Sequence, residues 1–319
     1  MKYNKIFIAG TGRSGTTLLN RIMGYHPDIY NIHLETKFIT ESDGLIDLVP
    51  ALSSKYSHTH AISAYKRFDN LMRHLLTGCQ HSSMRNWYLD KSLGYDNYYT
   101  HLNAFINNLS LINYQTTFPE HWRSPTSYNP SDILGEKTFL PRYFENESEL
   151  FEICSTFVNE MFSSAMINNN KKIWCEKTPS NLLAIDFLYT LFPDSLIIHI
   201  KRDPRAVVLS LVNQTWAPSN IRDACYFLEG TLRKYLSNRN MYINNDNYME
   251  IKLEDLTQNT KHILYTISNK IGINEFDDKS YKEISSNKED YWKKSINSND
   301  LELINTILGK SIKLLGYDI

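Results

Sequence analysis

The segment best equipped for chemistry is Gly10-Thr11-Gly12-Arg13-Ser14-Gly15-Thr16-Thr17. It stands between a short apolar run and an amphipathic stretch, so it is predicted to carry the chain from a strand into a helix. Such a turn points backbone N–H groups inward. The helix start adds roughly half a positive charge, and an anion belongs there. Three readings compete. Gly10, Gly12 and Gly15 satisfy the dinucleotide pattern GxGxxG. The same span approaches the phosphate loop GxxxxGK[ST], but Thr16 stands where the lysine that holds β- and γ-phosphates should be, which counts against ATP or GTP hydrolysis. The third reading takes Arg13, Ser14, Gly15, Thr16 and Thr17 together as a cradle for a tetrahedral phosphate or sulfate. Arginine brings a planar fork of donors and a permanent charge, and the threonine hydroxyls sit beside the first-turn amides. A plain capped helix start accounts for Ser14 or Thr16 but not for the whole cluster.

A second basic turn, Lys201-Arg202-Asp203-Pro204-Arg205-Ala206, follows the apolar run at 195–200 and opens a helix with proline. Ser210 lies eight residues beyond Arg202, one to two turns into that helix. Arg202 and Ser210 can together hold a second phosphate.

In these two segments, GTGRSGTTLLNRIMGYHPDIY and IIHIKRDPRAVVLSL, the chain resembles the sulfotransferase family. The motif pattern is closest to bacterial sulfotransferases and protein-tyrosine sulfotransferases. The resemblance implies a donor, PAPS (3′-phosphoadenosine 5′-phosphosulfate), with Gly12, Arg13, Ser14, Gly15, Thr16 and Thr17 on the phosphosulfate and Arg202 and Ser210 on the 3′-phosphate. HLETKF falls where relatives carry a catalytic glutamate, which implies Glu35 as base. WCEKTP matches a segment that supplies a catalytic lysine, which implies Lys177. Lys177 and Arg13 would then absorb the charge of the leaving phosphate. IKLEDL and the C-terminal LLGYD also fit, and Lys293 lies where some relatives place a donor-contacting lysine. Leu253 departs from the tyrosine many relatives carry before the Glu-Asp pair. His33, two residues from Glu35, is the reserve base. The resemblance covers residues 5–37 and 172–260 and is thin over 40–170. Taken without it, Glu35 reads as a helix cap or a partner of Lys37, and Lys177 as half of a surface salt bridge with Glu176.

These residues need elements to hold them. The pattern predicts strands at 5–9, 29–32, 172–175, 195–200 and 248–252, and helices at 14–25, 147–167, 179–191 and 204–212. Strands alternating with helices imply an α/β fold, a P-loop-like parallel sheet flanked by helices. Residues 40–170 read as a mainly helical insertion that covers the acceptor, within a single domain of 1–319. The stretch 111–134 holds three prolines and is expected to be a loop. Aromatic residues crowd the insertion: Trp87, Tyr88, Tyr95, Tyr98, Tyr99, Phe118, Trp122 and Tyr128, with Arg123, Lys137 and Arg142 nearby.

Lys+Arg is 34 and Asp+Glu is 35, a net charge of −1, which argues against a nucleic-acid or membrane-surface binder. Cys79, Cys154, Cys175 and Cys225 form no CxxC pair and read as buried free thiols. No His/Cys cluster offers a metal site, and the donor chemistry is expected to need no metal. There is no signal peptide or membrane span, so the chain reads as cytoplasmic. The expected acceptor is a hydroxyl on a glycan, a tyrosine peptide or a small metabolite. Rival readings are a kinase or NTPase on the same fold, a nicotinamide or flavin enzyme, and a sulfotransferase-like binder without turnover.

Overall fold

The structure, a computed structural model, describes residues 1–77, 88–116, 136–277, 280 and 291–319. Cys79, His81, Trp87, Phe118, Trp122, Arg123 and Tyr128 lie outside the described residues, as does the Lys137 side chain. In chain order the elements are β1 (Lys5–Ala9), α1 (Thr16–Tyr25), β2 (Ile29–Asn31), α2 (Leu45–Leu52), α3 (His58–Thr77), α4 (Asp90–Leu93), α5 (Tyr95–Leu109), β3 (Ser110–Thr116), β4 (Glu136–Pro141) and α6 (Glu147–Asn168). There follow β5 (Ile173–Lys177), a 3₁₀ turn (Pro179–Leu183), α7 (Ile185–Leu191), β6 (Leu196–Lys201), α8 (Pro204–Leu211), α9 (Ile221–Tyr242), β7 (Tyr248–Lys252), α10 (Leu253–Gln258), α11 (Thr260–Ile271), α12 (Tyr291–Ser295) and α13 (Ser298–Leu314).

Two compact units emerge, Met1–Thr36 with Ser163–Ile319, and Lys37–Phe162. The first holds a five-stranded sheet in the order β2-β5-β1-β6-β7. Every pairing in it is parallel, as the alternation of strands and helices predicts. β1 sits in the middle because its residues are apolar on both faces. Ile6 and Ile8 join Leu19, Ile22 and Met23 of α1 and Leu264 and Ile267 of α11. Phe7 faces the other way and meets the edge of Trp174, ring centroids 5.3 Å apart. Each such side chain, fully buried, contributes roughly 1.5–3 kcal/mol.

A buried polar cluster joins β6 to β7. Glu250 accepts from Arg239 through Nε and Nη2, both at 2.7 Å, and from Lys201 Nζ at 2.7 Å. Tyr235 donates to the same carboxylate. Burial alone would raise the Glu250 carboxyl, but Arg239, His199, Lys201 and Tyr235 outweigh it and hold the group well below the usual carboxylate range. A depressed folded pKa gives stability that is present above the unfolded value and lost as pH falls towards the folded one. The stability gap between wild type and Glu250→Gln in urea unfolding is therefore expected to narrow as pH falls from about 6 to about 3. A gap that stays constant over that range would remove the ion-pair account.

The second unit packs helices around Phe38, Phe68, Phe105, Phe157 and Phe162, all buried. The Phe105 and Phe157 rings stack at 4.2 Å. Here the structure corrects one expectation. Ser110–Thr116 is strand β3, paired antiparallel with β4. Pro119, Pro125 and Pro130, which suggested a loop, all fall after the strand ends. Of the aromatic residues, Tyr98 is core and donates to Met72 O at 2.8 Å, whereas Tyr95 and Tyr99 stack on each other in solvent. The helix expected at 179–191 is broken at Ala184 into a 3₁₀ turn and α7. Cys154, Cys175 and Cys225 are buried free thiols.

Candidate active site

Because the five strands run parallel, their carboxyl ends share one edge, where open α/β sheets take their ligands. β1 delivers the glycine loop to that edge, β2 leads into Glu35, β5 ends on Lys177, and β6 runs into Arg202.

The loop is held from within. Ser14 Oγ donates to Thr11 O at 2.8 Å, and Gly10 N donates to Pro179 O at 3.3 Å, tying the loop to the segment after β5. A Cβ on Gly10 would lie 2.5 Å from Ser14 Oγ and 2.6 Å from Ile200 O, so no side chain fits there. Gly15 has φ +102°, and a Cβ on it would meet Leu253 Cδ1 at 2.7 Å. Glycine is needed at 15 for both reasons. Leu253 thus packs on the loop itself.

Gly15 caps α1 without any side-chain hydrogen bond, so the first amides of that helix are left for another acceptor. α8 differs. Its cap Asp203 accepts from Arg205 N at 2.9 Å and also binds the Arg205 guanidinium. The open helix end is therefore the one carrying Thr16, which is buried, and Thr17, which is exposed.

The two basic segments meet. Arg13 Nε donates to Ser210 Oγ at 3.0 Å, and Arg202 Nη1 donates to Arg13 O at 3.2 Å. Arg13 holds φ +69°, an uncommon conformation for a residue with a side chain. Lys293 is exposed on α12 and lines a cleft of about 380 Å³ with Asp203, Arg205, Trp292 and Tyr317.

At the other side of β1, Lys177 Nζ donates to Glu35 Oε1 at 2.9 Å, with side chains only 5% and 20% exposed. The surface pair with Glu176, which the residues suggest when read without the family resemblance, does not form. Successive residues of a strand face opposite ways, and Glu176 is turned into the protein. It accepts from Thr36 Oγ1 at 3.0 Å, Thr178 Oγ1 at 2.5 Å and Asn181 Nδ2 at 2.7 Å. Burial pushes its carboxyl up, against the pull of those donors. Lys37, the other expected partner of Glu35, stands 3.9 Å from Glu41. His33 is exposed, its ring 3.4 Å from the Asn31 amide.

Sequence reasoning missed Glu176, Thr36 and Asn181, whose roles depend on which strands are neighbours. It also missed Trp216, whose ring lies against Gly12. Its only signal was a large aromatic residue among polar ones six residues after Ser210. Among the described residues no group of three or more His, Cys, Asp or Glu side chains is placed to hold a metal ion. Nor is any described helix long and apolar enough to cross a membrane.

The arrangement offers an open helix end and clustered arginines for anions, next to a largely buried carboxylate–ammonium pair. A family model described as "Sulfotransferase family" matches residues 5–114 and 115–278. Two solved structures are similar over nearly the whole chain. The sulfotransferase domain from the Synechococcus PCC 7002 olefin synthase is 15% identical, with a TM-score of 0.54, over 99% of this chain and 94% of that one. The sulfotransferase domain from the curacin biosynthetic pathway is 14% identical, with a TM-score of 0.53, over 98% of each chain. At these identities the likeness is one of fold. Comparison with curated proteins gives no significant match.

Proposed function

The chain belongs to the sulfotransferase family, and from that premise we propose that it moves a sulfuryl group from PAPS to an acceptor hydroxyl. The observation that carries the reading is the Lys177–Glu35 pair at the carboxyl edge of the sheet, one strand away from the glycine loop. The residues present suit the donor. Gly10 and Gly15 keep the loop free of side chains, the amides of α1 stand open, and Arg13, Arg202 and Ser210 form one cluster of donors. Gly12, Ser14, Thr16 and Thr17 complete the cradle, and Lys293 is a further proposed contact. When bound, the nucleotide supplies the activated sulfuryl group and departs as its 3′,5′-bisphosphate.

The protein's part is positioning and charge. Glu35 would take the proton of the acceptor hydroxyl onto a carboxylate oxygen as the hydroxyl's own oxygen forms its bond to sulfur. Lys177 holds Glu35 in place beforehand. With Arg13 and the α1 amides, it offers positive charge to the leaving phosphate as the sulfur–oxygen bond to it breaks.

Calorimetry with 3′-phosphoadenosine 5′-phosphate, without added metal, tests the donor site. Wild type is expected to bind it, and Arg202→Ala to bind about 10–100-fold more weakly, the loss of one or two charge-assisted hydrogen bonds. ATP with magnesium and NAD serve as controls. Binding of either control in preference to the bisphosphate would reassign the loop.

A further inference from the structure

Helix α13 ends in a turn that sends the chain back onto the second basic segment. Gly316 takes φ +82°. Gly316 N donates to Lys313 O at 2.9 Å and Tyr317 N to Ile312 O at 3.1 Å, the pairing of a helix closed by glycine. Lys252, the last residue of β7, receives the turn. Its Nζ donates to Gly316 O at 2.7 Å and lies 4.6 Å over the Tyr317 ring. The Tyr317 hydroxyl is thereby brought to Glu254 and donates to its Oε2 at 2.9 Å. The other oxygen of that carboxylate, Oε1, accepts from Asp203 N at 3.0 Å. That N–H belongs to the peptide bond joining Arg202 to Asp203. One carboxylate thus ties the tyrosine to the backbone on which Arg202 stands. Asp318 repeats the tie. Arg205 clasps the Asp203 carboxylate through Nη2 at 2.8 Å and donates from the same nitrogen to Asp318 O at 2.7 Å. Asp203 and Arg205 are buried, so little water competes for these bonds. Burial and the Glu254 charge push the Tyr317 phenol well above its usual value, which keeps the hydroxyl a donor.

We propose that Tyr317 is a positioning residue for the donor's 3′-phosphate: through Glu254 it fixes the peptide behind Arg202, and so the direction from which that guanidinium reaches the phosphate. This rests on the sulfuryl-transfer reading, which puts Arg202 on that phosphate. An arginine side chain is long and flexible, and every rotor frozen on binding weakens the contact it makes. A backbone held in place beforehand reduces that loss. Arg202 Nη1 also donates to Arg13 O at 3.2 Å, so fixing the Arg202 peptide keeps the two arginines together. Tyr317 stays off the nucleotide, its hydroxyl engaged by Glu254.

The test is a double-substitution cycle on the full chain, read by calorimetry with 3′-phosphoadenosine 5′-phosphate. Tyr317→Phe removes one hydroxyl and keeps the ring under Lys252. It is expected to weaken binding about fivefold in the wild-type background and less than about 1.5-fold in Arg202→Ala, where the support has nothing left to aim. Glu254→Ala is expected to lose about tenfold, and adding Tyr317→Phe to it to change affinity by less than about 1.5-fold. Amide exchange at Asp203, followed by NMR without ligand, is expected to quicken about fivefold in Tyr317→Phe. Unchanged affinity in Tyr317→Phe overturns the proposal. So does an equal loss with and without Arg202, the result that a general loosening of the fold would give. If Glu254→Ala does not fold, the cycle of Tyr317→Phe with Arg202→Ala decides alone. Should wild type fail to bind the bisphosphate, the donor reading falls, and the exchange rate at Asp203 still decides whether Tyr317 holds the turn: no change there overturns that too.

Discussion

Glu35→Gln is expected to lower turnover by about 10²–10⁴-fold, the usual contribution of a positioned base. Affinity for 3′-phosphoadenosine 5′-phosphate is expected to stay within about threefold of wild type. The substitution is nearly isosteric. Its amide oxygen can still accept from Lys177 Nζ, as Glu35 Oε1 does at 2.9 Å, so the variant separates proton acceptance from positioning. Lys177 is almost fully buried, and Lys177→Ala would leave Glu35 without this partner, confounding the two roles. Release of the bisphosphate from PAPS in the presence of an acceptor gives the rate, and calorimetry gives the affinity. If Glu35→Gln turns over normally while His33→Ala does not, the base is His33, the exposed neighbour two residues away.

The second large effect is on stability. Glu176→Ala is expected to lower the free energy of unfolding by about 3–5 kcal/mol. The carboxylate is wholly buried and accepts from Thr36, Thr178 and Asn181. Asn181 in turn donates to Ile8 O of β1 at 3.2 Å. One side chain thus joins the residue after Glu35, the residue after Lys177 and the strand that carries the glycine loop. Alanine would leave three donors without their acceptor and a void where the carboxylate sat. Burial raises the Glu176 carboxyl. Its sign is therefore opposite to that of Glu250: the contribution to stability is full below the unfolded pKa and declines as pH rises through the folded one. Urea unfolding at two pH values measures both effects. A loss under about 1 kcal/mol would show that the three donors find other acceptors and that Glu176 is not the joint described.

The local structure that depends on consecutive residues was legible in the sequence. The glycine loop, its strand and its helix are local, and their glycines, hydroxyls and apolar spacing carry the same message. The parallel sheet followed from the alternation of apolar runs with amphipathic stretches. What was hidden depends on strand order. Glu35 and Lys177 are 142 positions apart, and they meet only because β2 and β5 are neighbours. Without that order, the residues alone offer each group only its nearest partner in sequence, Lys37 for Glu35 and Glu176 for Lys177, and the catalytic assignment of both came from the family resemblance. The β3–β4 pairing was missed for another reason, since prolines after residue 116 led the whole stretch 111–134 to be read as a loop. Trp216 was passed over because exposure is a tertiary property, and no local pattern distinguishes a solvent-facing tryptophan from a core one.

The sheet order also bears on how the chain is made. β1, the central strand, finds its neighbours in β5 and β6, and β5 begins roughly 160 residues after β1 ends. On a ribosome adding about 5–20 residues per second, the strand that carries the glycine loop waits about 10–30 s for a first central partner. Throughout that interval its apolar Ile6, Phe7 and Ile8 and both its hydrogen-bonding edges are open to other chains. Lys37–Phe162, by contrast, is contiguous and complete before β5 is synthesised. The nascent chain therefore passes through a stage in which its middle is ready to pack while the strand that carries the glycine loop is the part most in need of a chaperone.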